Sequence, residues 1–282
     1  MLNVRIIFLF AILLIHSACI QIDYPSEFKS CDPCLSPLSY EGYKLVLNEE
    51  FNFNSIEGSF VEELGDGCPD ACGWGGGEFQ FYQSENVFVN DGKLILKAKK
   101  EQKDSFQYTS GRVSSKGIQS FGYGRIDVRA KFPKGQGMWP AIWLRGDNIS
   151  EVGWPNSGQI NIAEMKGGPA KGNKTIIGSL FWSENNNIKF DSNGLTIDSD
   201  LNDKFHVYSI IWDKEGVSWL LNNHEFSNHK FTPINKNTFE KQFHLIINLA
   251  VGGDLILPPD ENTEFPQELI IDYIRFFEKN GN

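Results

Sequence analysis

The sequence predicts an all-β protein, a sandwich or barrel built from many short strands. Stretches of alternating apolar and polar residues recur along the chain, with turns of Gly, Asn and Asp between them. No stretch with helical periodicity extends beyond two turns. The 282 residues can form one large domain with a sizeable core, and we expect most of the 22 Phe to fill that core.

The alternation predicts the positions of individual strands. In residues 125–132 (RIDVRAKF) the apolar side chains would face the core and the charged ones would face outward, as in a half-buried strand. Residues 93–99 show the same pattern after a turn at Asn90, Asp91 and Gly92. The remaining expected strands are 158–164, 205–212, 216–221, 244–251 and 269–277. A hairpin would join 205–212 to 216–221, and residues 185–187 would form a loop.

Two of these strands carry polar residues on the face that should point away from the core. In residues 158–164, Ile160 and Ile162 point one way while Gln159 and Asn161 point the other. Residues 244–251 repeat the pattern, with amide-bearing Asn248 on the outward face. A central strand with one apolar face and one face of amides predicts a groove on the outer side of the sheet.

The first residues have the features of a secretory signal peptide. A positive start at Arg5 precedes an apolar run at 6–15, and small residues follow at 17–19. The run is too short to span a bilayer, and a lipoprotein anchor on Cys19 is the alternative. We expect a signal peptide over 1–19, a Cys-containing lead-in over 20–40, and one domain over 41–282. The protein would then be secreted, with no membrane span.

The net charge limits the classes of binding partner, and the cysteine count bears on the cellular compartment. The formal charge of −10 argues against nucleic acid, since phosphate binding requires a basic surface. Cleavage after Cys19 would leave four cysteines, which in an oxidising compartment predict two disulfides with three possible connectivities. Zinc is the alternative for these cysteines. The four are Cys31, Cys34, Cys68 and Cys72.

Residues 135–168 (GQGMWPAIWLRGDNISEVGWPNSGQINIAEMKGG) resemble the signature of glycoside hydrolase family 16, in its laminarinase-like branch. Further blocks at 74–96, 108–131, 243–253 and 269–278 also resemble the family and occur in the family's order. The resemblance implies a β-jelly-roll sandwich with a carbohydrate-binding cleft on its concave face. It also implies a retaining mechanism, in which two carboxylates about 5–5.5 Å apart act as nucleophile and as acid/base.

The family pattern Glu-x-Asp-x-x-Glu reads Gln159-Ile-Asn161-Ile-Ala-Glu164 in this chain. By resemblance, Gln159 stands at the nucleophile position, Asn161 at the assisting Asp position and Glu164 at the acid/base position. An amide cannot form the glycosyl ester of a retaining mechanism. On a regular strand Glu164 would face away from the other two, so we expect a β-bulge near Ile162 and Ala163.

The resemblance and the aromatic content also indicate a binding surface. Trp139 is expected as a sugar platform, while Trp143 would lie either in the groove or in the core. The remaining expected sugar-binding residues are Trp154, Arg112, Gln80, Phe181, Trp182 and Asn248. Trp212 and Trp219 are expected in the core. No cofactor is required, but the family often carries a structural calcium, for which Asp272, Gly92 and Glu50 are the expected ligands.

These observations predict a secreted, monomeric protein that recognises β-glucan and hydrolyses it poorly. The alternatives are an active retaining endo-β-1,3-glucanase, slow hydrolysis with another carboxylate such as Glu184, or an extracellular structural protein that binds no sugar.

Overall fold

Two large β-sheets pack against each other in this computed structural model, which describes residues 21–23 and 34–280. The expected signal peptide and Cys31 lie outside the described residues. Apolar side chains from both sheets form one core, including Ile160 and Ile247 from one sheet and Ile126 and Ile274 from the other. This arrangement matches the all-β jelly roll that the sequence predicts. Within the described ranges, no helix is long and apolar enough to cross a membrane.

The first sheet carries the polar-faced strands. Its strand order is β1-β14-β13-β12-β11-β18-β8-β3, with β9 also paired to β18, and every pair except β1-β14 is antiparallel. These strands are β1 (Gln21–Asp23), β3 (Val61–Glu62), β8 (Arg112–Ser114), β9 (Ser120–Phe121), β11 (Met138–Gly146), β12 (Gln159–Glu164), β13 (Thr175–Glu184), β14 (Asn187–Thr196) and β18 (Phe243–Val251).

The second sheet has the order β17-β16-β15-β10-β19-β6-β5, with β2 also paired to β19. Its strands are β2 (Tyr43–Glu49), β5 (Val87–Asn90), β6 (Lys93–Ala98), β10 (Gly124–Lys131), β15 (His206–Asp213), β16 (Gly216–Leu221), β17 (His224–Lys230) and β19 (Gln267–Lys279). A separate parallel pair joins β4 (Gln80–Tyr82) to β7 (Tyr108–Ser110).

Helical structure is limited to single turns in the described chain, as the sequence predicts. The two α-helices are α1 (Ile149–Val152) and α2 (Lys236–Phe239), and 3-10 turns occupy Cys72–Gly75, Ser84–Asn86 and Gly172–Lys174. The expected hairpin between β15 and β16 is confirmed. The loop expected at 185–187 is a tight turn between β13 and β14, in which Asn185 and Asn186 both take positive φ.

The outward face of the second sheet is covered, although the sequence pattern predicts a half-buried strand at 125–132. Arg125 and Asp127 are fully buried beneath Tyr40, whose hydroxyl donates to Asp127 Oδ2 at 2.8 Å. Ser36, which precedes Tyr40 in the chain, accepts a hydrogen bond at its carbonyl from Arg275 Nη1 at 2.6 Å. We call residues 34–40 the N-terminal strap. Its polar groups form hydrogen bonds with charged side chains that the alternation alone assigns to solvent, and Arg125 and Asp127 also form an ion pair with each other at 2.7 Å.

A disulfide joins Cys68 to Cys72, and Cys34 is disulfide-bonded as well. The Cys68–Cys72 bond removes two of the four thiolates that the zinc alternative would need. The expectation of disulfide chemistry in this chain therefore agrees with the structure.

Candidate carbohydrate-binding cleft

A β-bulge in β12 brings the acidic and amide residues of the site to one face. Ala141 on β11 pairs with Glu164, and Trp143 pairs with Asn161, so one residue of β11 lies opposite both Ile162 and Ala163 of β12. The register towards β13 shifts at the same place. The expected bulge is therefore confirmed, and it turns the Glu164 side chain to the outward face shared by Asn161.

Five side chains on this face form a continuous string of hydrogen bonds, which we call the amide string. Trp154 Nε1 donates to Gln159 Oε1 at 3.0 Å, and Gln159 Nε2 donates to Asn161 Oδ1 at 2.7 Å. Asn161 Nδ2 then donates to Glu164 Oε2 at 2.8 Å, and Trp139 Nε1 donates to Glu164 Oε1 at 2.8 Å. Both oxygens of the carboxylate are thus held by neutral N–H donors, and Glu164 is 5% exposed.

The backbone beneath the string is fixed from the other sheet. Trp219 on β16 reaches through the core, and its indole Nε1 donates to the Asn161 carbonyl at 2.8 Å. Gly178 on β13 makes room for this indole, since a Cβ on that glycine would lie 2.5 Å from Trp219 Cδ1. Trp219 and Trp212 both lie in the core, as expected.

A second polar cluster lies on the neighbouring strand β18 and on β4. Trp143 Nε1 donates to Asn248 Oδ1 at 2.8 Å, and Asn248 Nδ2 donates to the Tyr82 hydroxyl at 3.2 Å. That hydroxyl donates to Glu78 Oε2 at 2.9 Å. Gln80 Nε2 donates to the same Glu78 oxygen at 2.6 Å. The structure thus brings Trp143, Asn248 and Gln80 together around the Glu78 carboxylate, which no sequence pattern predicts at the site.

Glu78 is partly buried, and the loss of solvent around it raises the pKa of its carboxyl group. The nearby Arg112 guanidinium and the hydrogen bonds from Gln80 and Tyr82 act in the opposite direction and lower that pKa. The Gly-rich stretch that surrounds Glu78 (residues 73–78) is the signal that could have drawn attention to it, because close backbone approach there positions a side chain for contact.

Arg112 contacts this cluster through an ion pair and through cation–π contacts of its guanidinium group. Its Nε forms an ion pair with Glu63 Oε2 at 2.5 Å, and its guanidinium carbon lies 4.3 Å from the ring centre of Trp74 and 5.3 Å from that of Trp143. Arg112 is buried and already paired, so its guanidinium orients Trp143 and the loop that carries Trp74.

Trp139 is seated between two glycines. A Cβ on Gly76 would lie 3.2 Å from Trp139 Cη2, and one on Gly253 would lie 2.7 Å from Trp139 Cζ3. Only glycine allows the backbone to approach the indole this closely. Two backbone segments therefore hold the outer edge of the six-membered ring in place, while the indole N–H donates to Glu164.

Aromatic side chains surround the end of the amide string that is formed by Trp154 and Gln159. Phe181 on β13 pairs with Gln159, and its ring lies 6.2 Å from that of Trp154 and 6.0 Å from that of Phe190. Phe190 was not expected at the site. Its position follows from the β13-β14 register, in which it pairs with Phe181, and from the alternation of residues 187–196.

Trp182 was wrongly assigned to the cleft. It follows Phe181 on β13, so its side chain points to the opposite face and packs in the core against His229 and Phe239. Strand alternation permits only one of two consecutive residues to face the cleft. Arg145, also missed, lies on the cleft face beside Gln159 with its guanidinium carbon 4.6 Å from the Trp143 ring centre; burial lowers its pKa to about 10.

The three expected calcium ligands lie away from the cleft, around the second sheet. The Asp272 carboxylate forms ion pairs with Arg129 at 2.5 Å and with Lys93 at 3.7 Å. The Glu50 carboxylate pairs with Arg275 at 2.7 Å, although its carbonyl lies near Gly92. The two cationic side chains that pair with Asp272 would repel a divalent cation, so this arrangement does not fit calcium. Calcium binding stays a prediction.

Three comparisons place this chain among known proteins. The family model described as glycosyl hydrolases family 16 matches residues 76–273. The clotting factor G alpha subunit of Tachypleus tridentatus is 32% identical over 244 residues, which are 84% of this chain and 34% of that protein. A beta-1,3-glucan-binding protein of Penaeus monodon is 30% identical over 178 residues, 54% of this chain and 49% of that protein.

This chain therefore spans about a third of the first relative and about half of the second. Among solved structures, the laminarinase catalytic domain from Thermotoga maritima superposes with a TM-score of 0.77 at 36% identity, covering 86% of this chain and 100% of that one. Fold, family model and sequence identity agree, and the chain belongs to glycosyl hydrolase family 16.

Proposed function

We propose that this chain is a secreted protein that recognises β-glucan in the cleft of the first sheet and hydrolyses it poorly. The amide string carries the proposal. Between Trp154 and Trp139 it contains two amides and a single carboxylate, Glu164. Relatives named as a glucan-binding protein and as a laminarinase support β-glucan as the ligand class.

Retaining hydrolysis requires a carboxylate that attacks the anomeric carbon and a second group that protonates the leaving oxygen. Glu164 can supply the second function. Gln159, at the other end of the string, carries no negative charge, and its amide is engaged by Trp154 and Asn161. Because an amide forms no glycosyl ester, the covalent intermediate has no attachment point at this position.

Recruitment of Glu184 as a replacement carboxylate is not favoured by the strand geometry. The β13-β14 register is regular from Thr175 to Glu184. Phe181 shares the cleft face with Gln159, so alternation places Ser183 on that face and Glu184 on the opposite one. Glu78 is a second carboxyl group in the cleft, and it is occupied by hydrogen bonds from Gln80 and Tyr82.

The loss of charge leaves the binding surface intact. Trp139 keeps an indole fixed by Gly76 and Gly253, and the amides of the string offer donors and acceptors for sugar hydroxyls. Aromatic faces bury the apolar C–H faces of sugar rings, while amides satisfy the hydroxyls around them. A cleft of this kind can bind a glucan without cleaving it.

The first experiment measures binding and turnover on the same preparation. Purified protein is titrated with laminarin in a calorimeter, and reducing ends are counted after incubation with the same polysaccharide. We expect binding without measurable turnover. Hydrolysis at rates ordinary for an endo-β-1,3-glucanase would show that the active-enzyme alternative is correct. A folded protein that binds no glucan would favour the structural alternative.

The second experiment restores the missing charges. The double variant Gln159→Glu with Asn161→Asp should gain turnover on laminarin of about 100-fold or more over the parent, since loss of a nucleophile costs several powers of ten. Adding Glu164→Gln to this variant should abolish the gain. The exposed pair Gln102→Glu with Asn228→Asp serves as the matched control for two added charges and should change nothing. No gain in the double variant would contradict the proposal that these two positions limit catalysis.

A further inference from the structure

The strand β14 presents an open edge of the first sheet. It pairs with β13 in a regular register over Asn187–Thr196, and no bulge interrupts these ten residues. On its other side, the described chain covers only residues 194–196, through the short parallel strand β1. Residues 187–193 therefore form an edge to which no described strand is paired. Ile188 and Phe190 on this edge are 53% and 52% exposed.

Edge strands elsewhere in the two described sheets are short or irregular. At the far end of the first sheet β3 has two residues, and at one end of the second sheet β5 has four. At the other end of the second sheet, β17 is interrupted by a register shift against β16 and carries mostly polar side chains. Short strands, bulges and charged side chains protect an edge from pairing with another chain. The long, regular and partly apolar edge of β14 is instead typical of an edge that takes up another strand.

The turn between β13 and β14 fixes which main-chain groups of β14 point to the open edge. In a two-residue hairpin the flanking residues, here Glu184 and Asn187, exchange both main-chain hydrogen bonds, and every second pair after them does the same. The odd-numbered residues of β14 are thus bonded to β13, while the even-numbered ones direct their N–H and C=O groups to the open edge. The contact of Ser179 Oγ with Ser192 Oγ at 2.9 Å agrees with this, because side chains lie closer in the pairs without main-chain hydrogen bonds.

The sequence of this edge is complementary to itself when two copies run antiparallel. With Phe190 opposite Phe190 of a second copy, these two residues would exchange main-chain hydrogen bonds and their rings would lie side by side on the outward face. Lys189 of each copy would then lie opposite Asp191 of the other copy, so the strand pair would contain two pairs of opposite charge. A register centred on Lys189 or on Asp191 would instead place like charges opposite each other. The pairing would end at residue 193, just before Gly194, where the contact with β1 begins.

We infer that this protein self-associates as a symmetric dimer through residues 187–193 of β14, which joins the first sheets of two copies into one. The interface is isologous, because the same edge of each copy meets its counterpart across a two-fold axis. Phe190 pairs with Phe181 on the cleft face, so both clefts open on the same side of the joined sheet. A strand pair of this length gives a small interface, and the association should therefore depend on protein concentration. The inference departs from the monomer that the sequence predicts, and it does not depend on glucan binding.

Sedimentation velocity over about 2–200 µM of the purified protein measures this association, and we expect the parent to shift from monomer to dimer as its concentration rises. Lys189→Asp and Asp191→Lys each place like charges opposite each other, and each variant alone should self-associate about tenfold more weakly or less. An equimolar mixture of these two variants restores opposite charges at both pairs and should dimerise as the parent does. Lys100→Asp, an exposed position beyond the end of β6 in the second sheet, is the matched charge reversal and should dimerise as the parent does.

A parent that stays monomeric over this range would overturn the dimer and leave the proposed function untouched. Unchanged affinity in both single variants would show that another surface joins the copies, and a mixture that fails to dimerise would overturn the antiparallel register. Because Asp191 also contacts His229, far-UV circular dichroism checks the fold of each variant. Ile188→Lys adds a charge at the open edge without altering either charge pair, and it should give a monomer. An unchanged dimer in that variant would overturn the assignment of the interface to β14.

Discussion

His206, at the start of β15, should make the stability of this protein fall as the pH is lowered through the mildly acidic range. The side chain is 1% exposed. Its Nδ1 lies 3.0 Å from Asn222 Nδ2, and its buried Nε2 has no hydrogen-bond partner among the described residues. A proton added here would create a charge in an apolar site. Burial, together with the nearby Lys204 and Arg129, lowers the pKa of His206 from its usual 6.5 to about 4, although Asp203 and the hydrogen bond with Asn222 act in the opposite direction.

The size of the effect follows from that shift. A difference of about 2.5 pKa units at roughly 1.4 kcal/mol per unit corresponds to about 3 kcal/mol. Because the folded-state pKa is the lower one, the unfolded chain takes up the proton first as the pH falls. The full stability is therefore present above about pH 6.5, declines between pH 6.5 and about 4, and levels off below.

Urea unfolding followed by tryptophan fluorescence at several pH values between 7.5 and 4.5 measures this contribution. Carboxylates also titrate in this range, so the informative quantity is the difference between the parent and His206→Gln at each pH. As the pH falls, the free energy of unfolding should decrease less for the variant than for the parent. Gln102→Asn, on an exposed side chain that does not titrate, should keep the parent's slope. A parent–variant difference that is constant with pH would refute the reasoning.

Three further predictions concern the scaffold. Trp182→Ala should destabilise the protein by about 3–5 kcal/mol, because the indole is buried in the core. The folded fraction of this variant should bind laminarin as the parent does, and weaker binding would show that Trp182 contributes to the cleft. Gly178→Ala should cost about 1–3 kcal/mol in thermal unfolding, because the added Cβ meets Trp219, and unchanged stability would contradict this packing. Asp191→Asn should cost less than about 1 kcal/mol at pH 7, since its carboxylate is partly exposed. The hydrogen bond from His229 lowers the pKa of Asp191, so this contribution is present above the ordinary Asp pKa and is lost as the pH falls through the lowered value; a cost that persists in acid would contradict it.

Alternation along the chain was sufficient to predict the strands that matter most for the site. In β12, Ile160 and Ile162 are buried in the core while Gln159 and Asn161 face outward, as the period of two requires. The bulge was predicted because the resemblance to the family places Glu164 on the same face as Asn161. A regular strand cannot satisfy that requirement, so the resemblance implies the irregularity.

The features that were missed depend on contacts between segments far apart in the chain. Glu78 and Arg112 meet in space through β4 and β8, and no local pattern reveals that one is buried beside the other. The wrong placement of Trp182 has a different origin. Consecutive aromatic residues, Phe181 and Trp182, gave no indication of which one faces the core until the pairing with Gln159 fixed the register. The burial of Arg125 likewise depends on a contact with Tyr40, a residue far from it in the chain.

The N-terminal strap also sets the order in which the domain can be completed during synthesis. Residues 34–40 are synthesised well before β19, yet the side chains that they contact include Tyr273 and Arg275 on that strand. The same strand separates β10 from β6 in the second sheet. Until β19 emerges, the strap lacks these partners and one edge of β10 stays unpaired, so the nascent chain carries an open strand edge from the synthesis of β10 until that of β19. Final closure of the fold is therefore a late event, dependent on its last strand.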